Sequence, residues 1–172
     1  MNVPVQSLTI GGLFVGLAIP TFYVARWTME AVKKKTFPEW QQPVGLVAGL
    51  AYGGIAAMCT GGLIGFSTGA ITLLGNGAGS LAMWGMTGGH TTLDARTTEV
   101  TLTGEGNLVL LLLTVTLIGA WKGMPSKMRG LAKKGVVAGV LLGLSATLGG
   151  VVAASLIPAI NDLGAQIVGS VA

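Results

Sequence analysis

The chain has 172 residues, 51% of them hydrophobic and only 9% charged, with a net charge of +4 and a mean hydropathy of +0.75. A soluble domain carries about 25% charged residues, so this composition cannot coat an ordinary solvated surface. The length suits one helical bundle of about four membrane spans at roughly 20 residues each. The positive balance does not indicate nucleic acid as a direct ligand. Nine of the ten basic residues fall in two short clusters beside apolar segments, where a membrane accounts for them.

The first expected span runs from about Leu8 to Val24, with Gly12 and Gly16 forming a small-xxx-small contact and Pro20 a potential kink. No Lys or Arg precedes it, so it reads as a retained span with its N-terminus outside rather than a secretory signal. A basic linker follows, carrying Arg26, Lys33, Lys34 and Lys35 and flanked by Trp27 and Trp40 as interface anchors.

The second expected span starts after Pro43 and runs to about Phe66, closing a first hairpin over 8–66. Gly45, Gly49, Gly53, Gly61, Gly65 and Gly69 recur at four-residue steps, with Ala57 in the gap. Each interior glycine costs a helix about 1 kcal/mol relative to alanine in water. In lipid the same spacing lets two helix backbones approach closely. A step of four drifts by about 40° per repeat, so the full stripe wraps around one helix and calls for neighbours on several sides. Self-assembly answers that need, and packing within one chain is the alternative. Cys59, alone, reads as a small apolar residue.

Residues 67–89 stay apolar but glycine-rich, and read as an extension of that helix followed by an interfacial piece with Met83, Trp84 and Met86. The polar stretch 90–107 is rich in threonine and forms an external loop, either a small hairpin or irregular. The third expected span begins at Leu108 and ends near Trp121, another interface anchor. A second basic linker follows with Lys122, Lys127, Arg129, Lys133 and Lys134. The fourth span runs from Gly135 to about Ala154, with Gly135, Gly139 and Gly143 as packing glycines, closing a second hairpin over 108–154. The segment 155–172 reads as an interfacial helix.

Basic loops stay cytoplasmic, which places both linkers inside and both termini outside, in a bacterial cytoplasmic membrane. A further crossing within 67–89 would put the two linkers on opposite sides. GLVAGLAYGGIAA at 45–57 aligns with GVVAGVLLGLSAT at 135–147, and each follows a span, a tryptophan and a basic linker. A parallel internal repeat and a chance match of abundant small residues both fit.

Groups for catalysis are scarce. His90 is the single histidine, no cysteine pair exists, and GNGAG at 75–79 lacks a strand-to-helix context. No enzyme, cofactor or metal site is expected. The spans lack central charges, which counts against ion-coupled transport. The expectation is an all-α integral membrane protein of four helices in two hairpins, with one polar Thr-rich external loop. It self-associates through its glycines into a ring, bundle or filament. The basic linkers would meet anionic headgroups of the lipid bilayer or a cytoplasmic partner.

Each hairpin resembles the type IV secretion and conjugation pilins in topology: both ends outside, a basic turn inside and small-residue spans. The resemblance covers topology and composition. It implies a structural or channel subunit of a translocation assembly, although those pilins have one hairpin and this chain has two with a polar insertion. A phage holin-like pore former and a membrane anchor for a cytoplasmic partner are the competing readings.

Overall fold

A computed structural model describes residues 7–35, 39–59, 61–89, 93–94, 102–145 and 148–171. It is all-α apart from one short strand pair, with six helices: α1 (Ile10–Lys34), α2 (Gln41–Ala56), α3 (Gly62–Thr87), α4 (Gly104–Ala120), α5 (Ser126–Gly143) and α6 (Leu148–Val171). The strands are β1 (Leu8–Thr9) and β2 (Leu93–Asp94). They pair antiparallel, Leu8 opposite Asp94 and Thr9 opposite Leu93.

The helix boundaries follow local chemistry. Thr9 caps α1 by accepting a hydrogen bond from the Gly12 N–H at 3.0 Å. The helix then runs through Pro20 and the first basic cluster, ending where Lys35 turns left-handed. What composition marks as a linker is therefore mostly the last turns of α1, built from straight-chain residues that favour helix. Pro43 sits in the first turn of α2, where its missing N–H is no loss. The second basic cluster is also mostly helix. Lys127, Arg129, Lys133 and Lys134 lie on α5, which begins after Pro125.

Two expected spans are corrected. The apolar run from Pro43 to Phe66 is not one helix. It ends at Ala56, where short-range bonds from Met58 N–H to Ile55 O and from Cys59 N–H to Ala56 O close the last turn. The chain resumes as α3 from Gly62, whose φ of +67° favours glycine. Residues 67–89 thus neither extend the second span nor form a separate interfacial piece. They belong to α3, which is capped at Gly88 with φ +65° and its N–H on Trp84 O. Likewise the helix expected from Gly135 to Ala154 stops at Gly143, and α6 continues unbroken through Pro158.

Four spans are not shown. Among the described residues one helix, Ile10–Lys33, is long and apolar enough to cross a bilayer by itself, and little of it is buried. Helix α4 is apolar but shorter.

Helices α2 and α5 form the centre and run parallel. Gly45 lies against Met128, Gly49 against Ala132 and Val136, and Gly53 against Val136 and Val140. Both buried clusters form where these two helices end. One joins Ile55, Ala56 and Met58 to Leu102, Leu110 and Ile157, and the other joins Ala57 to Leu8, Val140, Leu141 and Leu144. Helix α3 starts at this same end, passes Leu141 at Gly75 and meets the first turn of α1 where Gly79 touches Gly11. By Leu93 the chain is back beside Leu8. The segment between α2 and α4 therefore begins and returns at one end of the bundle.

Candidate functional site

Three features stand out from the packing: a glycine seam, a pair of threonine–asparagine clasps and a cationic end.

The seam is where α2 and α5 touch backbone to backbone. A methyl group on Gly49 would lie 2.9 Å from Val136 N, and one on Gly135 would lie 3.0 Å from the Gly49 Cα and the Leu50 N. At Gly139 it would press on the Leu50 carbonyl oxygen and lie 2.9 Å from the Leu50 Cα, and at Gly143 it would meet the Gly54 Cα at 2.9 Å and the Ala57 Cβ at 3.3 Å. Gly49 faces Gly135 rather than Gly139, its match in the aligned repeats, so the two helices are staggered by about one turn. The seam lies within one chain, which favours the intramolecular alternative for Gly45, Gly49, Gly53, Gly135, Gly139 and Gly143.

The other predicted packing glycines separate. Gly16 faces α5, where an added methyl would stand 3.1 Å from the Leu141 Cβ, and Gly12 faces the Asn76 side chain. Gly61 has nothing within 4 Å of where a methyl would stand. Gly65 is buried and Gly69 half-buried, both on α3, so they do not share a helix with Gly45–Gly53.

The clasps are the feature that composition and periodicity miss. Asn76 Oδ1 accepts from Thr9 N–H and from the Thr9 hydroxyl, both at 3.1 Å, and its Nδ2 donates to Ser7 O at 2.9 Å. In the second half Asn161 Oδ1 accepts from Thr103 N–H at 3.1 Å and from its hydroxyl at 3.2 Å. Thr103 caps α4 through Gly106 N–H at 3.1 Å, as Thr9 caps α1. The neighbours repeat too. Gly79 lies on Gly11 and Gly164 on Glu105, while Leu8 and Leu102 close over Gly12 and Gly106. Asn76 is therefore committed to an interhelical contact. The signal was present as Leu-Thr-x-x-Gly at 8–12 and 102–106, followed in each half by Asn-x-x-Gly at 76–79 and 161–164.

The cationic end lies opposite the clasps. Glu39 bridges to Lys127 at 3.2 Å, tying the two basic clusters together, and Arg26 pairs with Glu30 at 3.0 Å. Lys133 stands 5.5 Å from the centre of the Trp121 ring, and Lys134 stands 5.1 Å from that of Tyr23 while bonding to its hydroxyl. Trp27 donates to Gln42 at 3.2 Å. Lys33, Lys35 and Lys122 are exposed and Arg129 half-buried. Among the described residues no acid pairs with these four. The Lys34 side chain, with His90, Arg96, Glu99 and most of the Thr-rich segment, lies outside the described residues. Of the anchors, Trp27, Trp40 and Trp121 belong to this end. Trp84 lies on α3, which packs along the first half of α1.

Between these ends the outer faces are bare hydrocarbon. Phe22 and Val32 on α1, Leu63, Leu74 and Met86 on α3, and Val115 and Ile118 on α4 are 61–81% exposed. A shallow apolar groove of about 350 Å³ opens between α1 and α3, lined by Leu13, Phe14, Leu17, Met83 and Met86 among others. Tyr52 and Thr114 share a half-buried hydroxyl–hydroxyl bond of 2.9 Å joining α2 to α4. Among the described residues no group of three or more His, Cys, Asp or Glu gathers that could hold a metal ion.

No protein-family model, curated protein or solved structure matches this chain.

Proposed function

We propose that the chain is an integral membrane protein with a structural, non-enzymatic role, and that it assembles with further copies of itself. In this reading α1, α2, α4 and α5 cross the bilayer as two parallel hairpins, with the cationic end on the cytoplasmic side. The observation that carries it is the exposed apolar surface of α1, α3 and α4, which is too extensive for contact with water.

Two further features support the reading. From Ile10 to Trp27, and again from Gly104 to Trp121, a helix rises by about 26 Å, close to the roughly 30 Å of a hydrocarbon core. The clustering of lysines and aromatic rings at one end agrees with the cytoplasmic bias of basic residues. Because the glycine seam is internal, contacts between copies would use the outer faces of α1, α3 and α4. A role as a structural or channel subunit of a secretion- or conjugation-type assembly rests on hairpin topology. Each half carries a third helix that the pilin hairpin lacks.

Membrane extraction and mass test the proposal. The chain is expected to stay in the membrane pellet through alkaline carbonate, and to run in mild detergent at several times its 17.3 kDa. Leu74→Ser with Leu81→Ser, on the exposed face of α3, should lower that mass while helicity holds. Release by carbonate would refute the membrane reading, and a wild-type monomer would refute assembly.

A further inference from the structure

The cationic end has a composition that selects its partner. Among the described residues Lys33, Lys35, Lys122, Arg129, Lys133 and Lys134 are exposed or half-buried there with no acidic partner, once Arg26–Glu30 and Lys127–Glu39 are set aside. They are not spread over a polar face. The helices beside them expose hydrocarbon within one or two turns: Val24, Met29 and Val32 on α1, and Ile118 on α4. A surface for nucleic acid or a soluble acidic protein would be bordered by polar side chains. Cations and aromatic rings meeting a bare aliphatic girdle describe the headgroup level of a bilayer.

The two central lysines are held rather than free. Lys133 and Lys134 are consecutive on α5, so they point about 100° apart, one over Trp121 beyond the end of α4 and the other over Tyr23 of α1. Both are exposed, so each ammonium keeps donors free on its outer side. Arg129 lies one turn before Lys133 on the same helix.

We propose that this end is a docking surface for anionic phospholipid, in which Lys133 and Lys134, held over Trp121 and Tyr23, contact the headgroup phosphates. The proposal rests on the membrane reading above. The rings support the glycerol level and the lysines face the phosphates, so the surface prefers a leaflet with net negative headgroups.

The test uses the full chain reconstituted in nanodiscs of phosphatidylcholine with brominated phosphatidylglycerol or brominated phosphatidylcholine as the minor lipid. In a Trp84→Phe background the remaining tryptophans, Trp27, Trp40 and Trp121, all lie at the cationic end, so their quenching reports which lipid gathers there. Wild type should favour phosphatidylglycerol by about fivefold or more at low salt, and the preference should shrink as salt rises. Lys133→Gln with Lys134→Gln should bring it close to unity, whereas Lys133→Arg with Lys134→Arg should keep it. Equal quenching by both lipids, or a preference the glutamine variant retains, would overturn the proposal. So would loss of the preference on adding millimolar inorganic phosphate at constant ionic strength, or a tighter lysine-dependent complex with an oligonucleotide or polyglutamate. Carbonate extraction keeps the two readings apart. A chain that stays in the membrane yet shows no lipid preference loses only this inference, and a chain that is released loses both.

Discussion

Replacing Gly49 with alanine adds one methyl group where α2 meets α5, and two opposing effects can be weighed. Alanine favours a helix over glycine by about 1 kcal/mol. Against this, the new carbon would press directly on the Ala132 carbonyl oxygen, and would stand 2.9 Å from Val136 N and 3.0 Å from the Ala132 carbonyl carbon. Comfortable contacts lie at about 3.5–4.0 Å, so the gap falls short by roughly half an ångström or more. The obstacle is the backbone of another helix, so no side chain can rotate away. Relief requires the helices to part by about 1 Å, which weakens dispersion along the seam, and overpacking of this kind costs about 1–3 kcal/mol.

Gly130→Ala on α5 is the matched control, because nothing lies within 4 Å of its methyl position. It should gain up to about 1 kcal/mol from propensity. The two variants should therefore differ by about 1–3 kcal/mol in opposite directions. Reversible unfolding in mixed micelles, followed by far-UV circular dichroism, measures the difference. Gly49→Ala with Gly135→Ala should cost less than the sum of the single changes, since one methyl already opens the seam that the other needs. If Gly49→Ala stabilises as much as Gly130→Ala does, the parallel seam is not where the structure places it.

Other expectations follow from single contacts. Asn76→Ala removes three hydrogen bonds to Ser7 and Thr9; at about 1 kcal/mol each it should rank among the most destabilising polar changes, and hydrogen exchange should show the first turn of α1 opening. Thr103→Ala should cost about 1 kcal/mol of cap energy, read as a lower unfolding midpoint, with Thr103→Ser restoring most of it. Tyr52→Phe should lose about 0.5–1.5 kcal/mol as its bond to Thr114 disappears, whereas Tyr52→Phe in a Thr114→Val background should cost clearly less. Lys127→Gln breaks an exposed pair with Glu39, and a shift of at most about 1 kcal/mol that vanishes in high salt is expected.

The sequence by itself determined the helical class, the two basic clusters and the glycine step, because composition and spacing act locally. Too few charges argue against an ordinary wet surface, and Gly45, Gly49 and Gly53 keep one helical face whatever lies beyond it. Boundaries were less legible. Nothing in Ala57-Met58-Cys59 is a strong breaker, so the stripe reads as running on to Gly69. The turn there is held by packing, with Ala57 and Met58 buried at 1% and 0% exposure. Basic residues suggested linkers, yet Lys33 and Lys133 are good helix formers and lie within helices.

Which surface answers the glycines was a tertiary matter. Periodicity shows that a small-residue face needs a close partner, but not whether that partner is another molecule or a helix some 90 residues away. The structure chose α5, parallel and about one turn out of register with the aligned repeat. Asn76 and Asn161 likewise carry no local signal of their role until Thr9 and Thr103 are brought to them. A polar side chain on an apolar helix is interpretable only with its partner, and chain separations of 67 and 58 residues hide that partner from any local pattern.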